Sequence, residues 1–184
     1  MIGDRMKRMK VLAVAAFTAA SMLLSGCGSN PTMMEEYSFG YVQLKAGNSE
    51  VYMMSPFDLG HMNRQNGEGM MYANNDKHLY VIAVPEPASE GTPQQKAEKA
   101  IEMLKQTSDV SNLQTKVTST TVSGREAVEV DSTYDEPLNG QRSNLTVRGL
   151  FFEDNGQVWY VMYMYRSSDA MGKDVTDHVF GQLK

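Results

Sequence analysis

The chain has 184 residues, 17 Lys and Arg against 22 Asp and Glu, a formal net charge of −5, and a hydrophobic fraction of 41%. The length suits one domain with a short extension, and the composition is globular, which excludes disordered and collagenous classes. A single Cys excludes an internal disulfide framework and a Cys-rich zinc site.

The charge is uneven. Arg5, Lys7, Arg8 and Lys10 face one early acid, Asp4, and without the segment before Cys27 the chain keeps 13 bases and 21 acids. That negative field repels polyanions, so nucleic acid is not an expected partner. An apolar run, Val11–Leu24, follows the basic start. Its fourteen residues rise about 21 Å as a helix, short of the roughly 30 Å bilayer core, and suit the apolar region of a signal peptide. Where the run ends stands Leu24-Ser25-Gly26-Cys27, which resembles the lipobox of bacterial lipoproteins. The resemblance implies recognition of Leu24, Ser25 and Gly26 by a signal peptidase and a diacylglycerol on the Cys27 sulfur. It also implies cleavage before Cys27 and further acylation of the new amino group. A thiolate is the nucleophile that can take the lipid, and two acyl chains anchor stably where one does not. The expected division is 1–26 signal peptide, 27–36 lipidated Cys and tether, and 37–184 a single domain. The covalent lipid is the one non-protein group expected, and the location is the extracytoplasmic side of a bacterial envelope membrane.

In chain order, Tyr37–Leu44 reads as a strand with aromatics at 37, 39 and 41, and Glu50–Met54 as a second. Residues 57–69 are polar, rich in Gly and Asn, and read as loop. Met70–Tyr72 and Leu79–Val84 read as strands around the turn signal Asn74-Asn75-Asp76. Thr92-Pro93-Gln94-Gln95 opens a helix with a capping box and Pro at its first position. Ala97, Ala100, Ile101 and Leu104 mark its buried face, and it should end near Ser108. Thr115–Val122, Arg125–Tyr134, Asn144–Glu153 and Gln157–Arg166 read as a four-stranded antiparallel meander, with turns at Ser123-Gly124 and Asp154-Asn155-Gly156. Ser167-Ser168-Asp169 caps a terminal helix with Met171, Val175, Val179 and Leu183 on one side.

One strand decides the architecture. Trp159, Val161, Tyr163 and Tyr165 lie on one face of Gln157–Arg166, and Val158, Tyr160, Met162 and Met164 on the other. Both faces are apolar, so both need a cover. The expected fold is α+β, an α/β/α sandwich with a mainly antiparallel sheet. The element order, the Asp154-Asn155-Gly156 hairpin with its aromatic return strand, and a terminal helix ending in Val179-Phe180 resemble the PsbP-like family, which includes DcrB-like envelope lipoproteins. That resemblance implies a binding or assembly module in place of a catalyst.

Catalytic motifs are absent: no Gly-x-Ser-x-Gly elbow, no phosphate-cradling Gly loop, and no metal spacing among His61, His78 and His178. The acids Asp131, Asp135, Glu136, Glu153 and Asp154 match no calcium loop and read as a solvated strand edge. Tyr37, Phe39, Tyr41, Trp159, Tyr160, Tyr163 and Tyr165 read mostly as core. Methionine is abundant, with 15 in the chain and 11 from Cys27 onward, including adjacent pairs at 33–34, 53–54 and 70–71. Thioether with imidazole suits Cu(I), which makes Met53, His61, Met62, Met70 and His78 an alternative metal set. Against it, adjacent residues in a strand point to opposite faces, and Met also fills cores and adaptable grooves. The leading expectation is a lipid-anchored, non-catalytic envelope protein that binds another envelope component. A copper-handling lipoprotein and an envelope hydrolase are the alternatives.

Overall fold

The computed structural model describes residues 32–63, 69–138 and 140–183. The expected signal peptide, the lipobox-like Leu24–Cys27, and residues 28–31 of the expected tether lie outside the described residues.

Helix α1 (Met33–Glu36) leads into a hairpin of β1 (Gly40–Ala46) and β2 (Ser49–Ser55), which pair only with each other. Seven further strands form one antiparallel sheet: β3 (Gly60–Asn63), β4 (Met70–Asn75), β5 (Leu79–Pro87), β6 (Ser111–Val122), β7 (Arg125–Leu138), β8 (Gln141–Asp154) and β9 (Gln157–Arg166). Their spatial order is β3-β4-β5-β9-β8-β7-β6. Helix α2 (Pro93–Lys105) connects β5 to β6, and α3 (Ala170–Gln182) closes the chain.

The two-faced strand β9 sits between β5 and β8, and both of its faces are covered. Trp159, Val161, Tyr163 and Tyr165 pack with Leu44, Val51 and Met53 of the hairpin and Val175, Val179 and Phe180 of α3. On the opposite face Met162 and Met164 pack with Tyr80, Ile82, Tyr134, Leu145 and Val147, and with Leu104 of α2. Ala97 of α2 is fully buried against Val128, Val130 and Phe151. Among the described residues, both cores draw on residues within 33–183. Thr92 caps α2 as its sequence implies, with Gln95 N–H donating to its hydroxyl and the Gln95 side chain accepting from Thr92 N–H.

Hydrogen bonds lock the hairpin face. Trp159 Nε1 donates to Ser49 Oγ at 2.8 Å, and Ser49 Oγ donates to Asp154 Oδ2 at 2.7 Å. Arg148 on β8 pairs with Glu129, with Asp131 at 3.0 Å, and with Asp177 of α3 at 2.7 Å. Its guanidinium lies 4.4 Å from the centre of the Phe180 ring. Gly172 brings α3 close: a Cβ there would stand 2.7 Å from Tyr165 Cβ and 2.9 Å from the His78 carbonyl.

Several expectations need correction. β1 begins at Gly40, so Tyr37 and Phe39 precede it and do not share its alternation; Tyr41 points outward and is 71% exposed. β3 occupies part of the expected loop at 57–69, pairing His61 with Tyr72 and Met62 with Met71. Asn74 and Asn75 finish β4, and the turn is made by Asp76, whose carboxylate accepts from His78 and Leu79 N–H. α2 stops at Lys105, three residues early. The acids do not lie on a sheet edge, because β7 and β8 are both interior strands, and only some of them, Glu153 among them, are solvated. Asp154 is buried against Ser49 and Arg125, and Glu136 is only 2% exposed.

Glu136 stands on the α2 side of β7, and its buried Oε1 has no hydrogen-bond partner among the described residues. Burial, and then the nearby Asp109, push its pKa from an ordinary 4.5 up to about 7. A raised carboxyl pKa means the folded state holds a proton that the unfolded chain has released. Stability therefore falls as pH rises from about 4.5 to about 7, and levels off above that.

Two predictions test this architecture. Trp159→Ala should cost about 3–5 kcal/mol, the range for a large, fully buried ring, and Tyr160→Ala, which is partly exposed, should cost clearly less; paired urea melts compare them. Glu136→Gln should remove part of the stability loss between pH 4.5 and pH 7, so that its melting temperature gains on the parent at pH 8 relative to pH 4.5.

Candidate ligand cavity

A cavity of about 170 Å³ lies between α2 and the sheet. Its sheet wall is apolar: Ile82 and Val84 of β5, Val158, Tyr160, Met162 and Met164 of β9, Val147 and Phe151 of β8, and Tyr134 of β7. Ala100, Met103 and Thr107 of the α2 segment form its roof, and Lys96, Lys99 and Glu86 stand at its polar end. Residues 96, 100, 103 and 107 follow the three-and-four spacing of one helix face.

The floor depends on a missing side chain. Gly149 lies on β8 between Val147 and Phe151, and a Cβ there would stand 2.9 Å from Tyr160 Cε2. With only hydrogen at that position, the Tyr160 ring lies against Phe151, centroids 4.3 Å apart and planes 7° from parallel. A larger residue at 149 would displace the ring.

Most polar groups around the cavity already have partners. Tyr134 hydroxyl faces Met164 Sδ at 3.7 Å, and Thr107 hydroxyl donates to the Met103 carbonyl. Lys96 Nζ lies 2.7 Å from Glu86 and 3.4 Å from Glu90. Two groups stand apart: the Tyr160 hydroxyl and the Lys99 ammonium make no hydrogen bond or ion pair among the described residues. Burial pushes the Tyr160 phenol pKa upward, so it remains a neutral donor at physiological pH.

A second recess, about 230 Å³, lies beside β2 and the β6–β7 turn. It is the larger, but its charged groups are engaged within the protein. Glu50 accepts from Tyr52 hydroxyl and pairs with Lys45, and Arg125 pairs with Asp154. The α2 cavity is therefore the better candidate, since it offers unpartnered groups beside an apolar interior.

The residues of the alternative metal set are dispersed. Met53 is buried in the hairpin-face core, and Met70 packs against that same core. His61 packs against Tyr72, ring centroids 5.3 Å apart and planes tilted by 55°. Met62 pairs with Met71, which belongs to the α2-face core, so it lies across the sheet from Met53 and Met70. His78 sits elsewhere, with Nδ1 2.9 Å from Asp169 and Nε2 3.5 Å from Glu36. Asp169 also caps α3 by accepting from Gly172 N–H, so His78 clasps α1, β5 and α3 together. His178 packs on Phe39. Among the described residues, no His ring bonds to a hydroxyl, and no three His, Cys, Asp or Glu converge as a metal site.

The alternation in the sequence puts Tyr160, Met162 and Met164 on one face, and the structure buries both Met side chains in the α2-face core while they also line the cavity. The signal for the cavity was Gly149, an isolated glycine inside an apolar strand, which marks a close approach.

No protein-family model and no curated protein sequence matches the chain. Solved structures do. The solution structure of cyanobacterial PsbP (CyanoP) from Synechocystis sp. PCC 6803 is 9% identical, with a TM-score of 0.51, over 86% of this chain and 96% of that one. LpqN, involved in cell envelope biogenesis of Mycobacterium tuberculosis, is 13% identical, with a TM-score of 0.47, over 83% and 95%. PA94 from Pseudomonas aeruginosa, a protein of unknown function, is 12% identical, with a TM-score of 0.46, over 78% and 95%. The seven-stranded antiparallel sheet, covered by helices on both faces, is an α+β fold of the PsbP-like type.

Proposed function

We propose that this protein is a lipid-anchored, non-catalytic binding module of the bacterial cell envelope, holding an apolar ligand or partner group in the cavity under α2. The observation that carries the binding half is that cavity: about 170 Å³, with a largely apolar sheet wall and, among the described residues, an unpartnered phenol inside and an unpartnered ammonium at its polar end. An apolar wall open to water is otherwise costly, because apolar surface left against water forgoes the stabilisation that burial gives. The lipobox supports the anchoring half. A copper-handling role has less support, since Met53 is enclosed in the core and His78 is engaged by two carboxylates. A hydrolytic role lacks a His beside a nucleophile among the described residues.

Anchoring is tested by Cys27→Ser. The hydroxyl cannot replace the thiolate, so acyl chains should be lost and the protein should leave the membrane fraction or persist as an uncleaved precursor. Binding is tested with a chain starting at Gly28, which should show one cooperative thermal transition. It should enhance the fluorescence of N-phenyl-1-naphthylamine, and Ala100→Phe, which fills the cavity, should abolish that enhancement. Retained acylation in the first test, or enhancement unaffected by cavity filling in the second, would overturn the respective half.

A further inference from the structure

We propose that the cavity takes the tail of a single-chain carboxylate amphiphile, a fatty-acid-like molecule, whose head group pairs with Lys99. This rests on the α2 cavity being the ligand site. Size sets the first limit. An apolar cavity of about 150 Å³ accommodates benzene, so about 170 Å³ suits one short alkyl tail and cannot enclose the two chains of a diacyl lipid.

Charge sets the second limit. Four charged groups stand near the polar end: Lys96, Lys99, Glu86 and Glu90. Both acids converge on Lys96, at 2.7 Å and 3.4 Å, and Lys96 is itself buried. The neighbouring helix acids keep their charge but turn to other partners, Glu98 to the Gln94 amide and Glu102 to the Gln106 amide and Lys105. Lys99 lies three residues along the same helix, lines the cavity, is exposed, and has no such partner. A carboxylate at the mouth would complete this arrangement. A cationic head would meet an unopposed ammonium, and a neutral head would leave it as it is. An ammonium at a solvated rim selects by charge and not by bidentate geometry, so the expected discrimination is modest.

The test is displacement of N-phenyl-1-naphthylamine from the chain starting at Gly28, at pH 8, by octanoate, octanol and octyltrimethylammonium. Octanoate should displace at a concentration about fivefold lower than octanol, and octyltrimethylammonium should be the weakest. Lys99→Ala should erase the difference between octanoate and octanol, and Lys99→Glu should make octyltrimethylammonium the best competitor. Equal displacement by octanoate and octanol in the parent, or a preference that survives Lys99→Ala, would overturn the head-group assignment while leaving the cavity intact. Failure of the cavity itself is read separately: fluorophore binding unchanged in both Ala100→Phe and the milder Ala100→Leu, with thermal melts confirming that each is folded.

Discussion

A strand that is apolar on both faces must be covered twice, and β9 imposes that requirement on the whole molecule. Its partners divide the work unequally. The Trp159 face receives the β1–β2 hairpin together with α3, while the Tyr160 face relies on α2. A helix of 13 residues is about 20 Å long and about 10 Å across, whereas seven strands at about 4.8 Å spacing span roughly 29 Å. One helix cannot seal such a sheet. Beneath α2, where the Gly149 position leaves the Tyr160 ring low against β8, the incomplete cover becomes a cavity.

The two faces also treat polar groups differently. On the hairpin side, Trp159, Ser49, Asp154 and Arg125 form a continuous chain of partners, and Arg148 is matched by three carboxylates and an aromatic ring. Buried polar networks of this kind favour a unique packing. On the α2 side, Tyr160, Lys99 and one oxygen of Glu136 lack partners among the described residues. A buried polar atom left without a hydrogen bond lowers stability, and the hairpin side has such atoms too, at Glu36 Oε2 and Arg148 Nε; what distinguishes the α2 side is that its unpaired phenol and ammonium line a cavity.

Much of this fold was legible from periodicity. The two faces of β9, the capped start of α2, the Ser123-Gly124 and Asp154-Asn155-Gly156 turns and the Asp169 cap are local signals, and each appears where its residues imply. The misreadings share a cause, which is dependence on neighbours distant in sequence. β3 is short and exposed, and it becomes a strand only because β4 offers a partner. Glu136 and Asp154 look solvated until β6, the hairpin and α2 close around them. The cavity was the least legible feature, since alternation tells which face a side chain takes but not how far the opposing helix stands from it.

The chain enters the described fold through Thr32 and α1, and Met33 and Tyr37 pack into the hairpin-face core. The cavity opens on the other side of the sheet, so the point where the chain enters and the candidate ligand site are separated by a layer of seven strands. A cargo beneath α2 would neither crowd the leash nor be crowded by it. Under the proposed function, loading and tethering would be mechanically independent, and the same domain would serve on a longer leash, a different membrane, or none.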